Sequence, residues 1–310
     1  MSFTADKSSN PSHPDPATQN WRRFGLAVLA LGLIFFRPLF DLIRLALAND
    51  VHSHVLLVPF VSGYLVWTDR RHLPPTSAPS FGIVIFGSLG AAAALLTSFV
   101  PALRLPADLR LSLQILALIL CIVACGGWFL GRNAFRHCVF SFGFLAFAIP
   151  MPEAAIDFCE TTLQHASAEV SAWAFTFAGP PVVHDGLYFR LPGMAIKVAQ
   201  ECSGFRSTLV LFMVSVLASR MFLHTPWKRA VLVLTIFPLG VVRNAFRIWT
   251  LATLSVKVNP EIMDSWLHHR GGPIFFALSL APLYLLLFWL HRSERIHQPA
   301  LPPSETPTSP

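Results

Sequence analysis

The sequence predicts an all-α polytopic integral membrane protein of about eight transmembrane helices, with an outer helix-plus-hairpin insertion just before the sixth. Three observations carry this reading. Of the 310 residues, 54% are hydrophobic and only 13% charged, and the mean hydropathy is +0.57. Runs of roughly 18 or more apolar residues, enough to cross a bilayer as a helix, recur along the chain. The cations behind the net charge of +7 lie in short segments between those runs. That is the pattern of cytoplasmic loops rather than of a nucleic-acid surface, so no nucleic acid is expected as a partner.

In order, the predicted spans are 24–48, 51–68, 81–100, 110–130, 137–150, 203–222, 229–256 and 272–291. The first is interrupted by Arg37-Pro38 and carries Asp41 and Arg44, which predicts a kink or an interfacial second half. The fifth is short and ends at Ile149-Pro150-Met151-Pro152. Residues 1–22 and 293–310, rich in Ser, Pro and polar residues, read as disordered cytoplasmic tails around a membrane domain of 23–292. No short apolar segment precedes a small-residue cleavage site, so no removable signal peptide is expected. With the N-terminus inside, the inner segments hold Lys7, Arg22, Arg23, Arg70, Arg71, Arg132, Arg136, Arg220, Lys228, Arg229, Arg292 and Arg295. The outer ones keep Arg104, Arg110, Arg190, Lys197, Lys257 and Arg270. The excess predicts that both termini are cytoplasmic.

The outer segment 151–201 divides in two. Over Glu153–Phe177, Ile156, Leu163, Val170 and Trp173 alternate with Glu160, Gln164 and Glu169, which predicts a helix along the membrane surface. Leu187, Phe189 and Leu191 then alternate up to a Pro192-Gly193 turn, and Met194, Ile196 and Val198 alternate after it. This is a hairpin pattern, and it feeds directly into Cys202.

Around Cys202 the chain reads Glu-Cys-Ser-Gly-Phe-Arg-Ser at the start of an apolar span. Ser203 and Gly204 suit a helix start, whose unpaired N–H groups favour negative charge and can serve as an oxyanion hole. Arg206, one helical turn on, would share the face of Cys202 and bias the thiol toward thiolate, the reactive form. Arg243 and Arg247 are four apart with Asn244 beside them inside a span, where arginine is costly and marks a functional site. A near copy, Arg132-Asn133-Ala134-Phe135-Arg136, falls in a predicted inner loop and reads as ordinary loop charge. His268 and His269 open the last span, followed by Gly271 and Gly272. Adjacent histidines point apart on a helix, so a general acid or base fits better than a metal site. The five cysteines, at 121, 125, 138, 159 and 202, show no zinc spacing. No metal and no cofactor is expected, and a Cys159–Cys202 disulfide stays open. Thiol acyl transfer at the outer membrane face is the chemistry these residues suggest.

The same residues resemble the exosortase/archaeosortase family. Cys202-Ser203-Gly204-Phe205-Arg206 is similar to its Cys-Ser-Gly-x-Arg motif, Asn244-Ala245-Phe246-Arg247 to Asn-x-x-Arg, and His268 with Gly272 to His-x-x-x-Gly. Ile149-Pro150-x-Pro152, Gly186 through Leu191-Pro192, Val198, and Ser53-His54-Val55-Leu56-Leu57-Val58-Pro59 extend the likeness over about residues 50–290. Val55 stands where the family has glycine, and His269 and Arg270 follow the histidine where acidic or neutral residues are common. The resemblance implies a cysteine protease/transpeptidase of a cell inner membrane with its active site facing outward. It would cleave a C-terminal sorting signal made of a Pro-Glu-Pro-type motif, a transmembrane helix and a basic tail. Its partners would be the proteins carrying such signals, the lipid bilayer and an acceptor nucleophile of the envelope. Cys202 would be the nucleophile, His268 the proton shuttle with His269 as alternative, and Arg247 the group stabilising the oxyanion. Arg206, Arg243, Asn244, Ser203, Gly204 and His54 would contact substrate or support these groups. The competing reading is a non-enzymatic transporter, which would explain the spans and intramembrane arginines but has no need of Cys202. A thiol oxidoreductase would instead need the Cys159–Cys202 pair.

Overall fold

The apolar runs form helices throughout the computed structural model, which describes residues 16–70, 78–100, 103–198, 203–258 and 272–296. Cys202, His268 and His269 lie outside the described residues. Among the described residues six helices are long and apolar enough to cross a membrane, or up to eight if two bent pairs each count as one span. The chain divides into two units, 1–153 and 154–310.

In the first unit α1 (Pro16–Ile34) and α2 (Phe36–Ala48) meet at a 75° bend. Pro38 sits in the first turn of α2, where its missing N–H costs no hydrogen bond, so the break falls just ahead of it. Helix α1 begins inside the 1–22 stretch read as a disordered tail. A 3₁₀ turn (Asp50–Leu56) leads into α3 (Val58–Asp69), followed by α4 (Phe81–Phe99) and α5 (Ala107–Phe129). The latter two are antiparallel, with Ser80 N donating to Gly127 O at 2.9 Å. Their contact is made by small residues. A Cβ on Gly87 would stand 2.9 Å from Leu120 O, and one on Gly127 would stand 2.7 Å from Ile83 Cγ2. Such residues let helix backbones approach closely where apolar surface has no hydrophobic reason to associate.

Gly131, at φ +76°, turns the chain from α5 into α6 (Gly131–His137), followed by α7 (Val139–Phe144). The Arg132–Arg136 copy, expected in a loop, is therefore helical. Ala134 and Phe135 are buried with Phe24, Leu130 and Phe142, while both arginines stay exposed. That cluster, together with the Ser141 Oγ to Asp69 carboxylate bond of 3.3 Å, gathers Arg22, Arg23, Arg70, Arg132 and Arg136 at one end of this unit. The opposite end is fastened by different bonds. Ser112 Oγ donates to Pro150 O at 2.7 Å, His52 Nε2 lies 3.2 Å from Met151 O, and Glu153 N donates to Asp108 at 2.8 Å.

The second unit contains α8 (Glu153–Phe177), strands β1 (Val183–Asp185), β2 (Tyr188–Leu191) and β3 (Met194–Lys197), then α9 (Phe205–Phe222), α10 (Pro226–Leu234), α11 (Ile236–Lys257) and α12 (Gly272–Ile296). The all-α expectation thus gains a three-stranded antiparallel sheet in the order β1-β2-β3. Leu191 pairs with Met194 across Pro192-Gly193, and Gly193 has φ +82°, as position i+2 of a type II turn requires. Asp185 pairs with Tyr188 across Gly186-Leu187, where Gly186 supplies φ +59°. Phe189, Leu191 and Val198 face inward and pack with Ala168 and Phe175 of α8 and Ala252 of α11.

The bounds expected for α8 hold, and its packed face is made mainly of small and polar residues with Ile156 and Phe175. Gln164, Ser167, Ala168, Ser171 and Phe175 are buried, whereas Val170 and Trp173 are exposed. A small-residue face permits close packing, and large apolar side chains can point outward on a chain that meets lipid.

At the other end of this unit, Glu294 ties α12 to the start of α10. Its carboxylate accepts His224 N at 3.0 Å and Thr225 N at 2.8 Å. Nearby, Lys228 Nζ donates to Ser293 Oγ at 2.6 Å. This clamp carries α12 to Ile296, past the 292 boundary expected for a tail. Glu294→Ala leaves two partly buried N–H groups without a charged acceptor. It should destabilise the purified protein by about 2 kcal/mol or more, read as a lower unfolding temperature in detergent.

Candidate functional site

In the second unit the start of α9 is built around Gly204, which adopts φ +74° and ψ 9° in the left-handed region. Its place against α11 crowds any side chain. A Cβ would stand 3.0 Å from Arg243 Nη2, 3.2 Å from Asn244 Cγ and 3.3 Å from Asn244 Cβ. The Gly204 carbonyl accepts from Thr208 N at 3.0 Å, Thr208 Oγ1 at 2.9 Å, Ser207 Oγ at 3.0 Å and Arg243 Nη2 at 3.0 Å. Ser203 is buried, and its hydroxyl accepts the Phe205 N–H at 3.3 Å. One of the first-turn N–H groups expected to face an anion therefore already has a partner.

Arg243 is buried to 7% exposure. Its Nη2 also donates to Thr208 Oγ1 at 3.2 Å, and its Nη1 has no hydrogen-bond partner among the described residues. Asn244 is buried beside it at 2% exposure. Arg247, one turn on, is half-buried, and Arg206 is exposed. The expectation that Arg206 shares a helical face with Cys202 needs helical backbone from 202 onward. The helix begins at Phe205, after the left-handed glycine, so that argument does not hold. A cation that does bond this turn is Arg243, which arrives from α11.

Two residues that sequence reasoning passed over complete the contact. A Cβ on Gly240 would stand 2.6 Å from Thr208 Oγ1, so Gly240 is what lets α11 bring Arg243 against α9. Its one sequence signal is a glycine in an otherwise apolar span, three residues before an arginine. Gly240→Ala must displace Thr208, the hydroxyl shared by Arg243 and the Gly204 carbonyl. Overpacking of this kind costs about 1–3 kcal/mol, and a thermal melt of the purified variant should show it.

The approach from the sheet is also held. Val198 N donates to Leu187 O at 2.9 Å, and Val198 O accepts from Gln164 Nε2 of α8. Helix α8 is in turn bonded to α11 by Ser171 Oγ to Ala245 O at 3.3 Å, and Trp249 Nε1 donates to Ala178 O. The described chain thus has fixed points at Val198 and at Ser203-Gly204, on either side of Cys202 in sequence.

His54 belongs to the first unit, where its Nδ1 lies 2.9 Å from Val51 O within its own 3₁₀ turn. Its neighbour His52 is the more buried, at 4% exposure. No group of three or more His, Cys, Asp or Glu able to hold a metal occurs among the described residues.

Comparison with known proteins adds one finding. The family model described as transmembrane exosortase matches residues 47–285 of the chain. No curated protein and no solved structure is similar enough to match.

Proposed function

Because this chain belongs to the transmembrane exosortase family, a family of membrane protein-sorting enzymes, we propose that it is a cysteine peptidase/transpeptidase that removes C-terminal sorting signals from envelope-targeted proteins. The observation that carries this reading is the Gly204 turn. Two residues after Cys202, a buried arginine and asparagine of another helix fix the backbone at the start of a membrane span.

In the proposed reaction the Cys202 thiolate attacks the carbonyl carbon at the sorting motif. The charge that develops on oxygen is met by Arg247 and by first-turn N–H groups of α9. The C–N bond breaks as His268, in its imidazolium form, protonates the departing amine, which leaves with the transmembrane helix and basic tail. A thioester remains on Cys202. An envelope nucleophile, deprotonated by the now neutral His268, takes the acyl group, which returns Cys202 to the thiolate and His268 to the imidazolium. Arg243 acts as a positioning residue through the Gly204 carbonyl.

The charge distribution supports an outward-facing site. Arg220, Lys228, Arg229, Arg292 and Arg295 lie at the end of the second unit that carries the Glu294 clamp, whereas Gly204 opens the far end of α9. With basic ends cytoplasmic, Gly204 faces outward. The test is a reporter ending in a Pro-Glu-Pro-type motif, a transmembrane helix and a basic tail, produced in cells with or without the wild-type protein. Loss of the tail only with the enzyme present, and only with the motif intact, is the expected result. Tail loss that ignores the motif would exclude this substrate class.

A further inference from the structure

In the first unit, α4, α5 and α6 line a groove of about 860 Å³, with open space beside Gly82 near the start of α4. Ile83, Phe86, Leu120 and Val123 form its apolar walls, and Phe135 of α6 closes one side. Arg132 and Arg136 also line it, four apart on α6 and both exposed. No acidic residue lines the groove, and no carboxylate is paired with either arginine among the described residues.

The aromatic side chains around this end give the groove a depth. Trp128 meets Phe81 edge-on at 6.1 Å, and the Arg70 guanidinium lies 5.4 Å from the Trp67 ring centre. Tryptophans at span ends mark the level of the lipid headgroups. On that mark the two arginines stand at headgroup level, beside the apolar walls that α4 and α5 supply. A soluble anion would have no use for the apolar walls, and a zwitterionic lipid would leave two cations uncompensated.

From this combination we infer that the groove seats one anionic phospholipid from the leaflet at the arginine-rich end. Its phosphate lies on Arg132 and Arg136, and one acyl chain lies along Ile83, Leu120 and Val123. Basic pockets between spans recognise acidic headgroups in this way, with fixed charge at the interface and hydrocarbon contact below.

The test uses the full-length protein in mild detergent, mixed with equal amounts of dioleoyl-phosphatidylglycerol and dioleoyl-phosphatidylcholine and read by native mass spectrometry. Wild-type protein should retain phosphatidylglycerol in preference. Arg132→Gln with Arg136→Gln should lower that retention about tenfold, to the phosphatidylcholine level. Arg132→Lys with Arg136→Lys should keep the preference. Val123→Trp, which fills the slot and leaves both charges, should lose the lipid as the glutamine variant does, so the inference remains testable if one variant fails to fold. Equal retention of the two lipids by wild type, or full preference in the glutamine variant, would overturn it. So would displacement of phosphatidylglycerol by an equal concentration of inorganic phosphate, which would mark a soluble-anion site.

Discussion

Cys202→Ala is expected to abolish tail removal, by about 10⁴-fold or more, while leaving the protein in the membrane at normal levels. The size follows from the role. Alanine has no electron pair to attack the carbonyl, and neither the arginines nor the histidine can substitute for a covalent nucleophile. The second half of the expectation follows from the anchors on either side. Val198 is bonded to Leu187 and Gln164, and Gly204 is bonded to Arg243, Ser207 and Thr208. None of these contacts uses the Cys202 side chain, so removing its sulfur leaves them in place. The measurement is the mass shift of the reporter on a gel beside an immunoblot of the enzyme. Cys202→Ser should be nearly as inactive, because a hydroxyl is a far weaker nucleophile at neutral pH than a thiol that is partly ionised.

Gly204→Ala carries the second-largest expected effect, and for a different reason. At φ +74° an L side chain costs about 1–2 kcal/mol in backbone strain. The new Cβ would also press on Arg243 Nη2 at 3.0 Å and on Asn244 Cγ at 3.2 Å. The latter belongs to a buried side chain, so Asn244 or the backbone of α11 must give by a few tenths of an ångström. Processing should fall at least about 100-fold, and the unfolding temperature should fall with it, because overpacking adds about 1–3 kcal/mol. Arg243→Lys separates positioning from charge. It keeps a cation but loses the planar fork that reaches both the Gly204 carbonyl and Thr208. Processing should drop with little change in the amount of folded protein.

Where sequence and structure agree, a local rule was enough. The hairpin at 188–197 was legible because its alternation and its Pro-Gly turn are both short-range, and the register Leu191 to Met194 follows from them. Strand β1 was not, since three residues with an exposed Val183 carry no pattern and depend on β2 for their pairing. The packed face of α8 could not be read from its apolar residues, since Ile156 is buried while Val170 and Trp173 are exposed. Here Ser167, Ala168 and Ser171 pack while Trp173 is exposed, and apolar periodicity is a poor guide to which face of a chain meets lipid.

At the candidate site, Arg206 and Arg243 looked alike as basic residues near a motif. What separates them is the left-handed turn at Gly204, which directs the chain into α9, and the glycine at 240, which admits α11. Neither can be weighed without knowing which helices touch. The excess of cations on alternate segments, by contrast, was a property of the sequence alone. In the first unit it reappears as five arginines gathered at one end.

The central claim, a covalent acyl intermediate on one cysteine, is tested most directly by mass spectrometry of the wild-type protein incubated with a tailed substrate and quenched in acid. The prediction is a peptide containing Cys202 that carries the C-terminal residues of the trimmed substrate through a thioester, and hydroxylamine should release that fragment as a hydroxamate. Tail removal that proceeds with Cys202 unmodified, or with the fragment attached elsewhere, would contradict it.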